Sequence, residues 1–249
     1  MRRLESYAQL QALDTGGYYA VAIPADEVVA CWDLSGAVAV LMRSGFGTSL
    51  VCQGDAAVVS SVWSDLVTAA NEAGGEQTAR ATVPAASALS VPFTSSNGWN
   101  WMTTSVSPPT QPRESDVRLL NDDAKINAFL AEANPDASTR PGDPEIVEWA
   151  VIPDPVDDAR LLASAAVTQW RSGALVLVSV ATRPDVRGQG LAPAVSAFLT
   201  RRVIDGGRGP MALGHYADNA TAERVYQRLG FVTRSRNVSG WLIDRPPMH

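Results

Sequence analysis

The stretch Ala174-Leu-Val-Leu-Val-Ser-Val-Ala-Thr-Arg-Pro-Asp-Val-Arg-Gly-Gln-Gly-Leu-Ala192 decides the fold. From Leu175 to Ala181 its residues are nearly all aliphatic, the pattern of a strand covered on both faces. Pro184 and Asp185 end that strand. Arg187, Gly188, Gln189 and Gly190 follow as a loop. Leu191, Ala194, Val195, Phe198 and Leu199 then recur at helical spacing, so a helix runs on to about Asp205. The order is strand, glycine loop, helix.

A helix start leaves backbone N–H groups without intrahelical partners, and the helix dipole adds partial positive charge there. Anions collect at such places. Gly188 and Gly190 let a phosphate approach the backbone closely, and Arg187 can add a charge-assisted contact. Pro193 has no N–H to give, which costs nothing in a first turn. No Gly-Lys-Ser/Thr follows, so this is not a Walker loop, and the G-x-G-x-x-G fingerprint is absent. On these residues alone a phosphate cradle and a plain glycine turn are equally open.

A second stretch, Asn219-Ala-Thr-Ala-Glu-Arg-Val-Tyr226-Gln-Arg-Leu-Gly230-Phe231, reads as another helix. Asp218 or Asn219 caps it, Ala222, Val225, Tyr226 and Leu229 form its apolar face, and Gly230 closes it. Its own pattern makes Tyr226 a core tyrosine.

Taken together and in this order, with a strand-like Met211–Tyr216 between the two helices, the stretches resemble the GNAT N-acetyltransferase superfamily. Arg187-x-x-Gly190-x-Ala192 is similar to its Q/R-x-x-G-x-G/A signature, and Asn219 to Phe231 to its N-x-x-A-x-x-x-Y-x-x-x-G-F segment. The resemblance implies an α/β (α+β) fold, a mixed central sheet flanked by helices. It implies acetyl transfer from acetyl-CoA to an amine, without a metal. The pyrophosphate would lie on the amides of Arg187, Gly188, Gln189, Gly190, Leu191 and Ala192, with Asn219 also at the coenzyme. The pantetheine arm would run along Val180, Ala181 and Thr182, at a bulge near Val180 to Thr182 where the central strand splays from the Met211 strand. Tyr226 would be the general acid, since a phenol with a pKa of about 10 is protonated at neutral pH. Glu148 and His215 are candidate bases on strands that would approach the cleft, Asp218 lies just beyond, and a water chain is a further route.

Two readings from other classes stand beside this one. A catalytically silent acyl-CoA binding or sensor protein would keep the fold and drop the chemistry. A nucleotide-phosphate protein using the Arg187 loop would lack a Walker lysine.

The 249 residues, 46% of them hydrophobic, suffice for one large or two small cores. A net charge of −6 disfavours a nucleic-acid surface and suits a cationic small-molecule amine. No apolar run approaches the roughly 20 residues of a membrane helix, so a cytoplasmic protein is expected, with no membrane partner and a homodimer open. Cys31 and Cys52 lack C-x-x-C spacing and read as small buried thiols. With only His215 and His249 beside them, no cysteine or histidine metal site is expected.

The rest of the chain divides three ways. Residues 1–105 carry strands at Val28–Leu34, Ala37–Arg43 and Ser49–Gln53, a helix from Asp55 to Glu72, a strand at Ala79–Val83, a short helical piece near Ala85–Leu89, and a strand at Trp99–Thr104. This order resembles the later half of a GNAT domain without its glycine loop. Gln53-Gly54-Asp55 puts a carboxylate where a pyrophosphate would sit, which implies a degenerate, non-binding copy. Residues 106–115, with three prolines, form a linker. Residues 116–249 are the expected catalytic domain. Before the central strand they hold a strand at Asp116–Leu120, a helix carrying Ile126, Phe129 and Leu130, the turn-rich Ser138–Asp143, and strands at Ile146–Ile152 and Leu161–Trp170. Two strands, Phe231–Arg236 and Val238–Ile243, close the domain before a loose tail from Arg245.

Overall fold

A computed structural model of the chain describes residues 1–13, 23–45 and 47–244; the expected loose tail lies outside them. It resolves into two compact units that do not follow chain order. The first comprises Met1–Trp101, His215–Asn219 and Thr233–His249, and the second Met102–Gly214 and Ala220–Val232.

In the first unit β1 (Arg2–Arg3), β2 (Val28–Asp33), β3 (Ala37–Ser44) and β4 (Gly47–Gly54) form antiparallel pairs. A short helix α1 (Tyr7–Leu13) precedes β2. Asp55 accepts the Ala57 N–H and starts helix α2 (Ala56–Gly74), and left-handed Gly75 ends it. Val59, Trp63, Leu66 and Ala70 fall on one face of α2 and are fully buried against the sheet. The chain returns in β5 (Arg80–Pro84), parallel to β4.

The C-terminal strand β12 (Val232–Trp241) then joins β5 antiparallel, from Asn237 opposite Pro84 to Trp241 opposite Arg80. It lies between β5 and β6 (Ser95–Thr104) in the strand order. Its sequence reads as two strands broken near Asn237. One continuous strand forms instead, because the buried Asn237 amide accepts from Gln53 Nε2 at 2.9 Å and donates to Ser235 Oγ at 2.9 Å, so it needs no turn. The helical piece expected at 85–89 is also absent. The Ser87 N–H closes one turn on the Pro84 carbonyl at 3.0 Å, but the Ala85 N–H goes to the Arg236 carbonyl and the Ala88 N–H to Ser60 Oγ, so the turn does not continue as a helix.

The second unit repeats the succession of the first. Strands β7 (Arg118–Leu119), β8 (Ile146–Pro153), β9 (Leu161–Gln169) and β10 (Leu175–Thr182) pair antiparallel, helix α4 (Leu191–Asp205) follows, and β11 (Met211–Tyr216) returns parallel to β10. Helix α3 (Asp123–Ala133), capped by Asp122, buries Ile126, Phe129 and Leu130 with Trp149 and Ala181. Helices α4 and α5 (Ala220–Arg228) close a second core through Leu191, Val195, Leu199 and Tyr226. The proline-rich 106–115 segment is extended up to a 3-10 turn at Glu114–Asp116. It is strapped to α4 where Arg201 donates to both Glu114 oxygens at 2.9 and 3.0 Å and to the Pro108 carbonyl.

Both cysteines are buried, and burial raises the pKa of each. No described helix is long and apolar enough to cross a membrane. Among the described residues no three His, Cys, Asp or Glu side chains gather as a metal site would require.

Candidate active site

The site grows from an irregularity in β10. Leu175, Leu177 and Val180 pack into one core, whereas Val178 and Ala181 pack into the other. Strict alternation would put Val180 with Val178. Ser179 is therefore the inserted residue of a bulge. Its φ of +50° and the register shift between Val178 and Ala181 agree with that. The bulge lies at Ser179–Val180, one residue earlier than the expected 180–182.

The bulge coincides with a divergence of strands. β10 and β11 are in register only at Leu175–Met211 and Val176–Ala212, and β10 then runs six residues further, to Thr182. Arg183 N–H donates to the Leu162 carbonyl of β9 at 3.0 Å. Successive N–H groups of a strand point to opposite edges, so Thr182 N–H faces the edge that β11 has left. Val178, Ser179, Val180 and Thr182 are all half-buried. An extended ligand can add there as a strand would.

The loop after β10 is exposed but pinned at its root. Arg183 reaches Glu132 of α3 at 2.7 Å. Asp185 pairs with Arg160, which holds Asp154 at 2.7 Å. The Val156 backbone N–H, and after it Arg160, keep the Asp154 carboxyl below its usual pKa. Desolvation acts against ionisation of Asp185, yet its own backbone N–H and Arg160 prevail and lower its pKa too. Beyond this anchor Gly188 and Gly190 have φ of +80° and +77°. A Cβ at either would meet nothing within 4 Å, so backbone conformation rather than crowding calls for glycine there. Gly190 is the N-cap of α4 and supplies no side-chain cap. The N–H groups of Leu191 and Ala192 thus start a fifteen-residue helix with no cap from the Gly190 side of the turn. Arg187 and Gln189 are exposed beside them.

The corresponding place in the first unit is built differently. Asp55 covers the start of α2, accepting Ala57 N–H at 2.7 Å. β4 and β5 are in register only from Ser49–Arg80 to Val51–Thr82, and beyond that point the Gln53–Asn237 amide bridge spans from β4 to β12. A cavity of about 440 Å³ remains there, lined by Gly54, Pro84, Arg234 and Arg236 among others.

Tyr226 lies on α5 in the second core, with its ring 6.0 Å from Phe231 at 64°. It is 8% exposed, and burial pushes its phenol up to about 12. Ala222, Val225 and Leu229 share its apolar face as expected, and Gly230 follows with a φ of +88°. Asn219 directly precedes α5 and belongs to the first unit, as do His215 and Asp218. His215 is 9% exposed with Nδ1 2.9 Å from the Tyr216 carbonyl oxygen.

Glu148 stands elsewhere. Its Oε2 accepts from Arg202 Nη2 at 2.9 Å and Nε at 3.1 Å, and Arg208 lies 3.6 Å from Oε1. Arg202 is eleven positions beyond Leu191 on α4, so this ion pair sits roughly 16 Å along the helix from its N-terminus. Across the sheet Glu148 stands opposite Val167 of β9, which stands opposite Leu177 of β10, so its carboxylate is held by Arg202 two strands from the strand that bulges. Glu148→Gln is expected to cost about 1 kcal/mol or less in denaturant unfolding, because Arg202 is half exposed, and to leave turnover within about twofold.

Sequence reading passed over Ser179, although it is the one polar residue in Leu175–Ala181 and so carried a signal. It also passed over Glu132, Asp154 and Arg160, and read Asp185 only as a strand end, because these charged residues lie in separate segments with no local mark of their pairing.

The two units, each with a mixed sheet flanked by helices, together with the β10 bulge and its glycine loop, define a GNAT-like α/β fold. Comparison with solved structures agrees. The GCN5-related N-acetyltransferase of Sphaerobacter thermophilus superposes with a TM-score of 0.55 at 17% identity, covering 86% of this chain and 78% of that one. The GNAT-family acetyltransferase of Colwellia psychrerythraea gives 0.53 at 12%, covering 96% and 98%. The GCN5-related N-acetyltransferase of Kribbella flavida gives 0.50 at 18%, covering 96% of each. The chain has the fold of the GNAT superfamily. Within it, residues 160–242, from β9 to the end of β12, match the family described as FR47-like protein. No curated protein matches the sequence.

Proposed function

We propose that this protein is an N-acetyltransferase that moves the acetyl group of acetyl-CoA onto an amine. The observation that carries the reading is the continuity of three features in the second unit: the β10 bulge, the outward-facing Thr182 N–H, and the uncapped start of α4 behind two left-handed glycines. An acyl-pantetheine arm needs the first two, and a diphosphate needs the third.

In the proposed reaction the amine nitrogen attacks the thioester carbonyl, the C–N bond forms and the C–S bond breaks. The sulfur leaves with a proton from the Tyr226 hydroxyl, the amine's proton passes to water, and the Tyr226 phenolate takes a proton back from water, so that amide and free thiol form with no net change in protons. Backbone N–H groups of the bulge orient the acyl group. With Glu148 paired to Arg202, no carboxylate of the second unit is assigned as base. The net charge of −6 favours the approach of a cationic amine. The first half is a degenerate copy that does not take the coenzyme, because Asp55 and the Gln53–Asn237 bridge occupy the equivalent ground.

One observation favours a second reading. Tyr226 is deep in an apolar core, as a purely structural tyrosine would be, and that would suit a silent acyl-CoA binding protein. Calorimetry should find one equivalent of acetyl-CoA per chain and no heat from ATP under the same conditions; two equivalents, or ATP binding instead, would refute the assignment. Release of free coenzyme across a panel of amines then separates enzyme from sensor.

A further inference from the structure

Ser179 does more than supply the extra residue of the bulge. Its Oγ donates to the Thr139 carbonyl at 2.8 Å. Thr139 lies in the 134–143 connection between α3 and β8, a segment built of turns: Ala137 N–H to the Asn134 carbonyl at 3.1 Å, Asp143 N–H to the Arg140 carbonyl at 3.2 Å, and Arg140 to the Pro135 carbonyl. The other side of the residue is tied to the sheet, where Ser164 Oγ donates to the Ser179 carbonyl at 3.4 Å. A serine rarely holds a φ of +50°, and here the rest of β10 and the Thr139 bond hold it.

Resting on the acetyltransferase reading above, the acyl carbonyl must lie at this bulge, and an acceptor must reach it past whatever segment borders the bulge. The 134–143 segment is tied there directly. We propose that Ser179 is a positioning residue that couples the coenzyme arm to the acceptor side: its hydroxyl holds segment 134–143 at the bulge, so that occupancy of β10 by acetyl-CoA orders this segment before the acceptor binds. The coupling needs no direct contact between Ser179 and either substrate. A two-sided anchor suffices, since fixing the backbone of residue 179 on one side fixes the donor of the Thr139 bond on the other.

Two substitutions separate the hydroxyl from the backbone. Ser179→Gly removes Oγ and suits the left-handed conformation, whereas Ser179→Ala removes Oγ and keeps the strain. Peptide-level hydrogen exchange on the full chain, with and without acetyl-CoA, reads segment 134–143 directly. In the native protein acetyl-CoA should slow exchange there by about 10-fold. In Ser179→Gly the segment should exchange about 10-fold faster without coenzyme and be unchanged on its addition, while calorimetric affinity for acetyl-CoA stays within about twofold. Ser179→Ala should match it in exchange. Protection of the segment by acetyl-CoA in Ser179→Gly to the native extent would overturn the proposal. So would a loss of acetyl-CoA affinity in Ser179→Gly beyond about 10-fold, which would place the role of Ser179 in the bulge itself. Absence of acetyl-CoA binding by the native protein would refute the acetyltransferase reading and the coupling with it, and the exchange rates without coenzyme would still decide whether Ser179 anchors the segment.

Discussion

Replacing Gly190 with aspartate is expected to weaken acetyl-CoA binding about 100-fold while leaving the protein folded. Gly190 is the N-cap of α4, a position where aspartate normally stabilises a helix by about 1 kcal/mol. Its φ of +77° costs a non-glycine residue about 1 kcal/mol, and aspartate is among those that tolerate it best, so the two effects roughly cancel. The consequence for a diphosphate is different. A carboxylate there would accept the first-turn N–H groups, as Asp55 does in front of α2, and repel the anion. At about 4 Å and an effective dielectric of about 20, a like-charge pair costs about 4 kcal/mol, so even after screening at this exposed loop a loss of about 100-fold is expected. Gly190→Ala isolates the backbone cost and should lose about 10-fold at most. Calorimetry with acetyl-CoA, set beside thermal unfolding of each variant, checks this. Native affinity in Gly190→Asp would show that the start of α4 is not where the diphosphate lies.

Tyr226→Phe is the second large effect. A general acid at a departing thiolate contributes about 100-fold or more, so turnover should fall by about that factor with coenzyme affinity unchanged within about twofold. The phenol is pushed up to about 12 by burial, and it must hold its proton to act. Activity limited by this group should therefore persist as pH rises past 10 and decline only near 12. Stability runs with the same proton. The unfolded phenol, near 10, ionises first, so as pH climbs from about 10 to about 12 the folded state loses stability that it holds in full below that window. Coenzyme release measured in both proteins from pH 7 to 11 tests the assignment. Equal turnover in Tyr226→Phe would leave Tyr226 a core tyrosine and favour the silent binding protein.

Much of the second unit was legible before any coordinates. An aliphatic run, a proline, two glycines and a helical stripe act through local conformation, and β10, the loop, α4 and the Tyr226 helix follow from them within a residue or two. The cap of α2 was also legible, since Asp55 stands directly before an apolar helical stripe. Less legible were features in which a local signal lost to a distant partner. Asn237 looks like a turn and is a buried strand residue, because Gln53, 184 positions away, completes its hydrogen bonding. Ala85 to Leu89 looks helical, but the Ala85 and Ala88 N–H groups go to Arg236 and Ser60, and only a single turn at Ser87 is left.

The sequence by itself determined the class of fold, the glycine loop after β10, and the helix that carries Tyr226, because glycine conformations, caps and hydrophobic periods are set by residues a turn or two apart. Tertiary structure alone decided which residue of β10 bulges, where the charge of Glu148 is spent, and which unit receives β12. Each depends on a partner brought near only by folding: two cores competing for the faces of β10, Arg202 beside Glu148, and the edge of β5 open to a strand 150 residues further along the chain. No pattern within a single segment records such a partner.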